Sequence, residues 1–168
     1  MTQKAQQRPK HTLRMQRFAE FMREHPLGIL SSVSPAGDPH GVAIYYTFDN
    51  NFHVYFLTRD KTRKCENISR NNRVMLSAVD PKTQTSLQIT ATCSQITDAH
   101  KIKQLLEEII KISLKTSGTQ LTLVNKITVG SLVAIELMPV QMRIATYAKS
   151  NSPEVSLFES IESFDLVD

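Results

Sequence analysis

Tryptophan is absent from this sequence, and only 2 cysteines and 5 glycines occur in it. Each shortage closes off a class of protein. Cys65 and Cys93 cannot build the disulfide framework of a small secreted domain, and they stand at no metal-ligand spacing. A reducing compartment, the cytoplasm, is therefore expected. So few glycines leave no phosphate-cradling glycine loop. No apolar run approaches the ~20 residues that span a bilayer, so no membrane partner is expected. His11, His25, His40, His53 and His100 show none of the paired spacings that hold a metal, and no metal site is expected. With 4 Tyr to stack on bases and no reader motif, nucleic acid is not an expected partner either. Ser31, Ser32 and Ser34 form no nucleophile elbow, and Glu107 and Glu108 diverge by about 100° on a helix, so neither set makes a hydrolytic centre.

What is present is ordinary globular material. The 168 residues are 40% hydrophobic and 21% charged, with a formal charge of +4. That length suits one domain with a real core. Charge is uneven along it. Lys4, Arg8, Lys10, Arg14, Arg17 and Arg23 make the start cationic, while Glu154, Glu159, Glu162, Asp165 and Asp168 make the end anionic. We expect residues 1–149 to form a single domain that opens on a helix, and 150–168 to be an acidic tail. Both ends read as partly flexible arms that fold back on each other or on a partner subunit.

Periodicity gives the elements. "LRMQRFAEFMREHP" sets Leu13, Arg17 and Phe21 on one stripe beside Met15, Phe18 and Met22, an amphipathic helix closed by Pro26 and suited to cover an open barrel end. "LGILSSV", "HGVAIYYTF" and "FHVYFLT" read as antiparallel strands joined by the turns "SPAGDP" and "DNN". In the third strand, Phe52, Val54, Phe56 and Thr58 would point one way and His53, Tyr55 and Leu57 the other, as in a half-buried strand. A helix near Thr62 to Asn71 precedes the strands "RVMLSAV" and "TQTSLQITATCSQIT". Asp98 caps a long helix whose Ile102, Leu105, Leu106, Ile109 and Ile112 form a stripe for the core. The segment from Thr116 to Gly130 is ambiguous, and Pro139 with Val140 marks either a bend between two strands or a bulge in one. The sum is a mainly β, α+β chain: a small antiparallel split β-barrel with peripheral helices.

One stretch, "FLTRDKTRKCENISR", carries a conflict. Arg59, Lys61, Arg63 and Lys64 crowd the start of a helix for which Thr62 is the N-cap. Helix N-termini are already partly positive, so each exposed cation there costs from a few tenths to about 1 kcal/mol. A phosphate bound by backbone N–H groups, Thr62, Arg63 and Lys64 would reverse that sign. Ile44 and Tyr45 of "VAIYY" would wall a larger ligand. A solvated surface face or a nucleic-acid backbone would also accommodate the cluster.

These residues resemble the flavin-binding split barrels of the pyridoxamine 5'-phosphate oxidase-like family. The likeness runs from about Pro26 to Asp98, with an echo in "VAIELMPVQMRI". In that family a strand ending in Thr leads to a Ser/Thr-Arg-Lys triplet that holds the phosphate of flavin mononucleotide (FMN). Thr58 and then Thr62, Arg63 and Lys64 match that spacing, and Gln88 matches a fifth-strand Gln that contacts the flavin. The resemblance implies FMN as cofactor, a homodimer with flavin at the subunit interface, and a two-electron oxidoreductase acting on a small molecule. Departures are also clear. Relatives with oxidase activity carry basic residues on the second strand, where Val42 and Thr47 stand here, and a Gly common after the Gln is Cys93. The Trp and the Arg-x-His pair that complete the vitamin B6 oxidases are missing, only Arg143 remaining, so true pyridoxamine phosphate oxidase activity is not expected. The alternative is a non-enzymatic binding protein for flavin, a deazaflavin or haem. Relatives that bind haem through a C-terminal His have no counterpart here after His100.

Overall fold

A computed structural model of the chain describes residues 7–118, 132–148 and 158–166. Its elements run α1 (Gln7–Glu24), β1 (Leu27–Val33), β2 (Pro39–Tyr45), β3 (Thr47–Phe48), β4 (Val54–Arg59), α2 (Arg63–Arg70), β5 (Arg73–Asp80), β6 (Thr85–Ile96), α3 (Ala99–Ser117), β7 (Leu132–Tyr147) and β8 (Phe158–Asp165). The strands form one antiparallel sheet in the order β2-β1-β5-β6-β7-β4-β3, with β8 also paired to β7. The sheet curls into a half-barrel, the mainly antiparallel α+β fold that the sequence implies.

Strand alternation makes the core. Leu30, Leu76, Leu87, Ile89, Leu137, Met142 and Ile144 are fully buried on the concave face, and α1 adds Phe18 and Met22. Each such side chain contributes about 1.5–3 kcal/mol of transfer free energy. Because β7 is 16 residues long, its far edge serves two partners. Its first half pairs with β4 and its second half with β8. Pro139 and Val140 lie within this single strand, where the register with β6 slips beside Thr90 and Ala91, so the structure selects the bulge over the bend.

Three expectations change. The second expected strand divides at Tyr46, whose side chain turns into the core and donates a 2.7 Å hydrogen bond to the His25 carbonyl. Strand β4 is buried on both faces, not one, because α3 packs Leu105 against Tyr55 and Ala134 on the side expected to meet water. The end of the chain is not wholly an arm, since β8 continues the sheet and Phe164 packs on the core. The opposite charges of the two ends do meet: the Arg17 guanidinium pairs with Glu162 and donates to Thr146 and Ser160 at 3.0 and 3.3 Å. Of the ambiguous segment, Thr116 to Gly118 end α3 on a left-handed glycine, φ 67°, and residues from 119 onward lie outside the described residues.

Gly28 marks the tightest approach in the β1–β5 pair. A Cβ built there would lie 2.9 Å from Leu76 Cδ1 and 2.9 Å from the Ser77 carbonyl oxygen, whereas at Gly41 the nearest atom is Ile29 Cγ2 at 3.4 Å. Gly28→Ala is therefore expected to lower stability by about 1–3 kcal/mol, and Gly41→Ala to change it far less. Urea denaturation of both variants checks this, and equal midpoints would refute it.

Candidate functional site

Strands β2 and β4 stand on opposite sides of the sheet's unclosed seam, with no pairing between them among the described residues. A cavity of about 300 Å³ occupies the seam. Its walls are Ala43, Ile44 and Tyr45 of β2, with Leu57, Thr58 and Arg59 of β4. Helix α3 roofs it with Leu106, Ile109 and Ile110. The helix sits there because its buried stripe, Leu105 and Ile109, faces the sheet, while Asp98 fastens its start by accepting the Lys101 N–H at 2.6 Å.

One end of the cavity is basic. Thr62 stands at the N-cap of α2, but its hydroxyl makes no cap hydrogen bond. It turns instead to the Arg59 carbonyl at 3.1 Å and lies 3.2 Å from Cys65 Sγ. The backbone N–H groups of the first turn thus have no side-chain cap. Lys64, the second residue of α2, swings into the cavity and donates from Nζ to Thr58 Oγ1 at 2.9 Å. No carboxylate among the described residues pairs with it. Burial pulls its pKa below the ordinary 10.5, against a weaker opposing effect from Cys65. A half-buried ammonium at the positive end of a helix, with a hydroxyl as its partner, is electrostatically incomplete.

The structure brings together Ile44, Tyr45, Thr58, Thr62 and Lys64 around this one cavity. Two other expected residues stand apart. Arg63 is exposed and is not among the lining residues. Gln88 is exposed on the convex face of β6, across from Ser77 and Arg143, because the alternation that buries Leu87 and Ile89 turns it outward. Cys93 is buried in the core and burial pushes its thiol up to about 12, so it is a packing group. His40 is half-buried on β2, outside the cavity lining, with Nδ1 lacking a hydrogen-bond partner. The reading from sequence passed over Arg59, Leu27, Leu132 and the α3 roof as lining. Leu106 and Ile109 had a visible signal, the helical stripe, but its periodicity does not say that one flank borders a cavity. No cluster of metal-binding side chains occurs among the described residues.

A model of the pyridoxamine 5'-phosphate oxidase family matches residues 15–144. No curated protein matches the sequence. Among solved structures the chain is similar to a Clostridium acetobutylicum protein related to general stress protein 26 of B. subtilis, of the pyridoxinephosphate oxidase family. The TM-score is 0.66 at 16% identity, over 90% of this chain and 94% of that one. It is similar to an F420 reductase, with a TM-score of 0.60 and 21% identity over 73% and 94% of the two chains. A heme binding protein from Mycobacterium smegmatis gives 0.57 and 13%, over 84% of this chain and 53% of that one. At such identities these structures bear on the fold alone. The family match covers most of the chain, which belongs to the pyridoxamine 5'-phosphate oxidase family.

The Lys64 geometry makes a prediction about the protein without ligand. Its folded pKa lies below the unfolded value, so the unfolded chain holds the proton more tightly. Stability should rise as pH climbs from the folded value toward 10.5, and the desolvation penalty stands in full below that window. Lys64→Met is accordingly expected to raise the urea midpoint near neutral pH, corresponding to a gain in unfolding free energy of no more than about 1 kcal/mol after allowance for the group's exposure. A lowered midpoint would mean that the ammonium is stabilising where it stands.

Proposed function

We propose that this member of the pyridoxamine 5'-phosphate oxidase family binds FMN, with the phosphate at the Lys64 end of the cavity, and acts as an oxidoreductase on a small molecule. The observation that carries this is the Lys64 ammonium, turned into the cavity with no carboxylate partner among the described residues. A phosphate there would receive Lys64, the Thr62 hydroxyl and uncapped N–H groups of α2, each charge-assisted bond contributing about 1.5–3 kcal/mol gross. The cofactor would supply two-electron chemistry. The chain's part is to bind and orient it.

The exposed position of Gln88 supports a dimer. It is not among the residues that line the cavity of its own protomer, and in a dimer it could meet the flavin of a second copy. That face also exposes Leu27, Ile29 and Val33 of β1 with Met75 and Val79 of β5, an apolar patch of the kind that subunit contacts cover. We read the chain as a homodimer with flavin at its interface, working in the reducing cytoplasm where Cys65 and Cys93 stay free. Light scattering at micromolar concentration should give a dimer mass, and a monomer mass counts against this arrangement.

The substrate is not a vitamin B6 phosphate. Trp is absent and Arg143 lacks the His of an Arg-x-His pair. Glu162 is neutralised by Arg17, so missing groups, more than tail repulsion, decide this. Misplaced reactants lose around 100-fold or more in rate. The neighbouring folds named for F420 and heme keep a second reading in view: a binding protein for flavin, deazaflavin or haem without turnover. Haem fits this cavity less well, since among the described residues its lining includes no His, Cys or Met and Tyr45 is the axial ligand on offer.

FMN titration followed by flavin fluorescence tests the proposal. Lys64→Ala should weaken binding at least tenfold, about 1.4 kcal/mol, whereas Arg63→Ala should weaken it less. Unchanged affinity in Lys64→Ala would sink the phosphate assignment. FMN-loaded protein should consume no oxygen with pyridoxamine 5'-phosphate; turnover of about 1 per second or faster would restore the eponymous activity.

A further inference from the structure

The cavity is chemically divided along its length. Among the described residues its charged lining is Arg59 and Lys64, at the α2 end, and no carboxylate is among them. Along the α3 flank the lining is Leu57, Leu106, Ile109 and Ile110, with no hydrogen-bonding side chain among them. Leu106 and Ile110 are only half-buried, although their helix is otherwise well packed on the sheet through Leu105 and Ile109. They are apolar groups that the packing of Leu105 and Ile109 leaves partly open, on the flank of α3 that borders the cavity.

We propose that this flank is the binding place of the second reactant, and that the reactant is an uncharged, apolar small molecule held between the α3 roof and the flavin. The inference rests on the FMN reading, which assigns Lys64 to the phosphate. With Lys64 so committed, a charged substrate against Leu106 and Ile110 would be desolvated among apolar side chains with no carboxylate or ammonium beside it there, a heavy penalty. A hydroxyl or amide buried there without a partner would also be disfavoured. A hydrocarbon-rich compound gains instead, at roughly 25 cal/mol for each Å² of apolar surface removed from water. Size agrees. About 300 Å³ lies at the small end of ligand pockets, room for a compact molecule once the flavin ring lies at the mouth, toward the convex face on which Gln88 stands. The α3 roof thereby selects against phosphorylated substrates by the same apolar wall that admits neutral ones.

Nile red, an uncharged apolar dye whose emission shifts to the blue on leaving water, is the probe. It should bind FMN-loaded protein with micromolar affinity. The double variant Leu106→Gln/Ile110→Gln, altered at half-exposed positions that leave the buried stripe intact, should bind the dye at least fivefold more weakly while its FMN affinity changes less than twofold. Unchanged dye affinity would place the dye on another surface and overturn the inference, as would no binding at all. Both outcomes leave the FMN reading standing, because that reading fails only if FMN affinity ignores Lys64. Lys64→Ala should weaken FMN and spare Nile red in the FMN-free protein; loss of the dye in that variant would show one undivided site and also overturn the inference.

Discussion

The sheet of this protein does not close. Its edges, β2 and the β3–β4 end, approach across a seam without sharing hydrogen bonds among the described residues. Everything of functional interest follows from how that seam is covered. A long connection between β6 and β7 supplies α3, which buries Leu105 and Ile109 against Tyr55 and Ala134 and so becomes a roof. Roof and seam enclose a cavity, and the cavity withdraws Lys64 partly from water. Had β2 and β4 paired, the barrel would be sealed and the ammonium would lie on the surface, hydrated and of little consequence.

The electrostatics of the site run against stability. A cation at the second position of a helix opposes the backbone dipole, and partial burial without a carboxylate adds desolvation. The FMN proposal accounts for such placement at a cavity wall, and stabilising substitutions at functional positions commonly lose function. Elsewhere several part-buried polar and charged groups have carboxylate partners. Arg17 meets Glu162, His53 Nδ1 lies 3.0 Å from Glu136, and Tyr55 donates to Asp49 and Glu136 at 3.0 and 3.1 Å. Lys64 stands out against that background.

Much of this was legible in the sequence, for local reasons. Asp98 announces α3, "DNN" announces the turn in which Asp49 Oδ1 accepts the Asn51 and His53 N–H groups, and Thr58, Thr62 and Lys64, close in sequence, all border the cavity. What escaped depends on distant pairing. Nothing local shows that β4 is covered on both faces, since Tyr55 and Leu57 fit a wetted face until α3 is laid over them. Gln88 was legible as a residue on the fifth main strand, but its side depends on the alternation fixed by Leu87 and Ile89. The partnership of Arg17 and Glu162 spans nearly the whole chain. Net charges at the two ends hinted at it, but only the pairing of β8 with β7 brings those two residues together.

The central claim is that Lys64 reads a phosphate. The most direct measurement compares affinities for FMN and riboflavin, which differ only in that group, in the wild type and in Lys64→Met. The account predicts that the wild type prefers FMN by at least tenfold, about 1.4 kcal/mol, and that the variant loses most of this preference while its riboflavin affinity stays nearly constant. Equal affinity for the two flavins in the wild type, or a preference for FMN that survives intact in Lys64→Met, would contradict it.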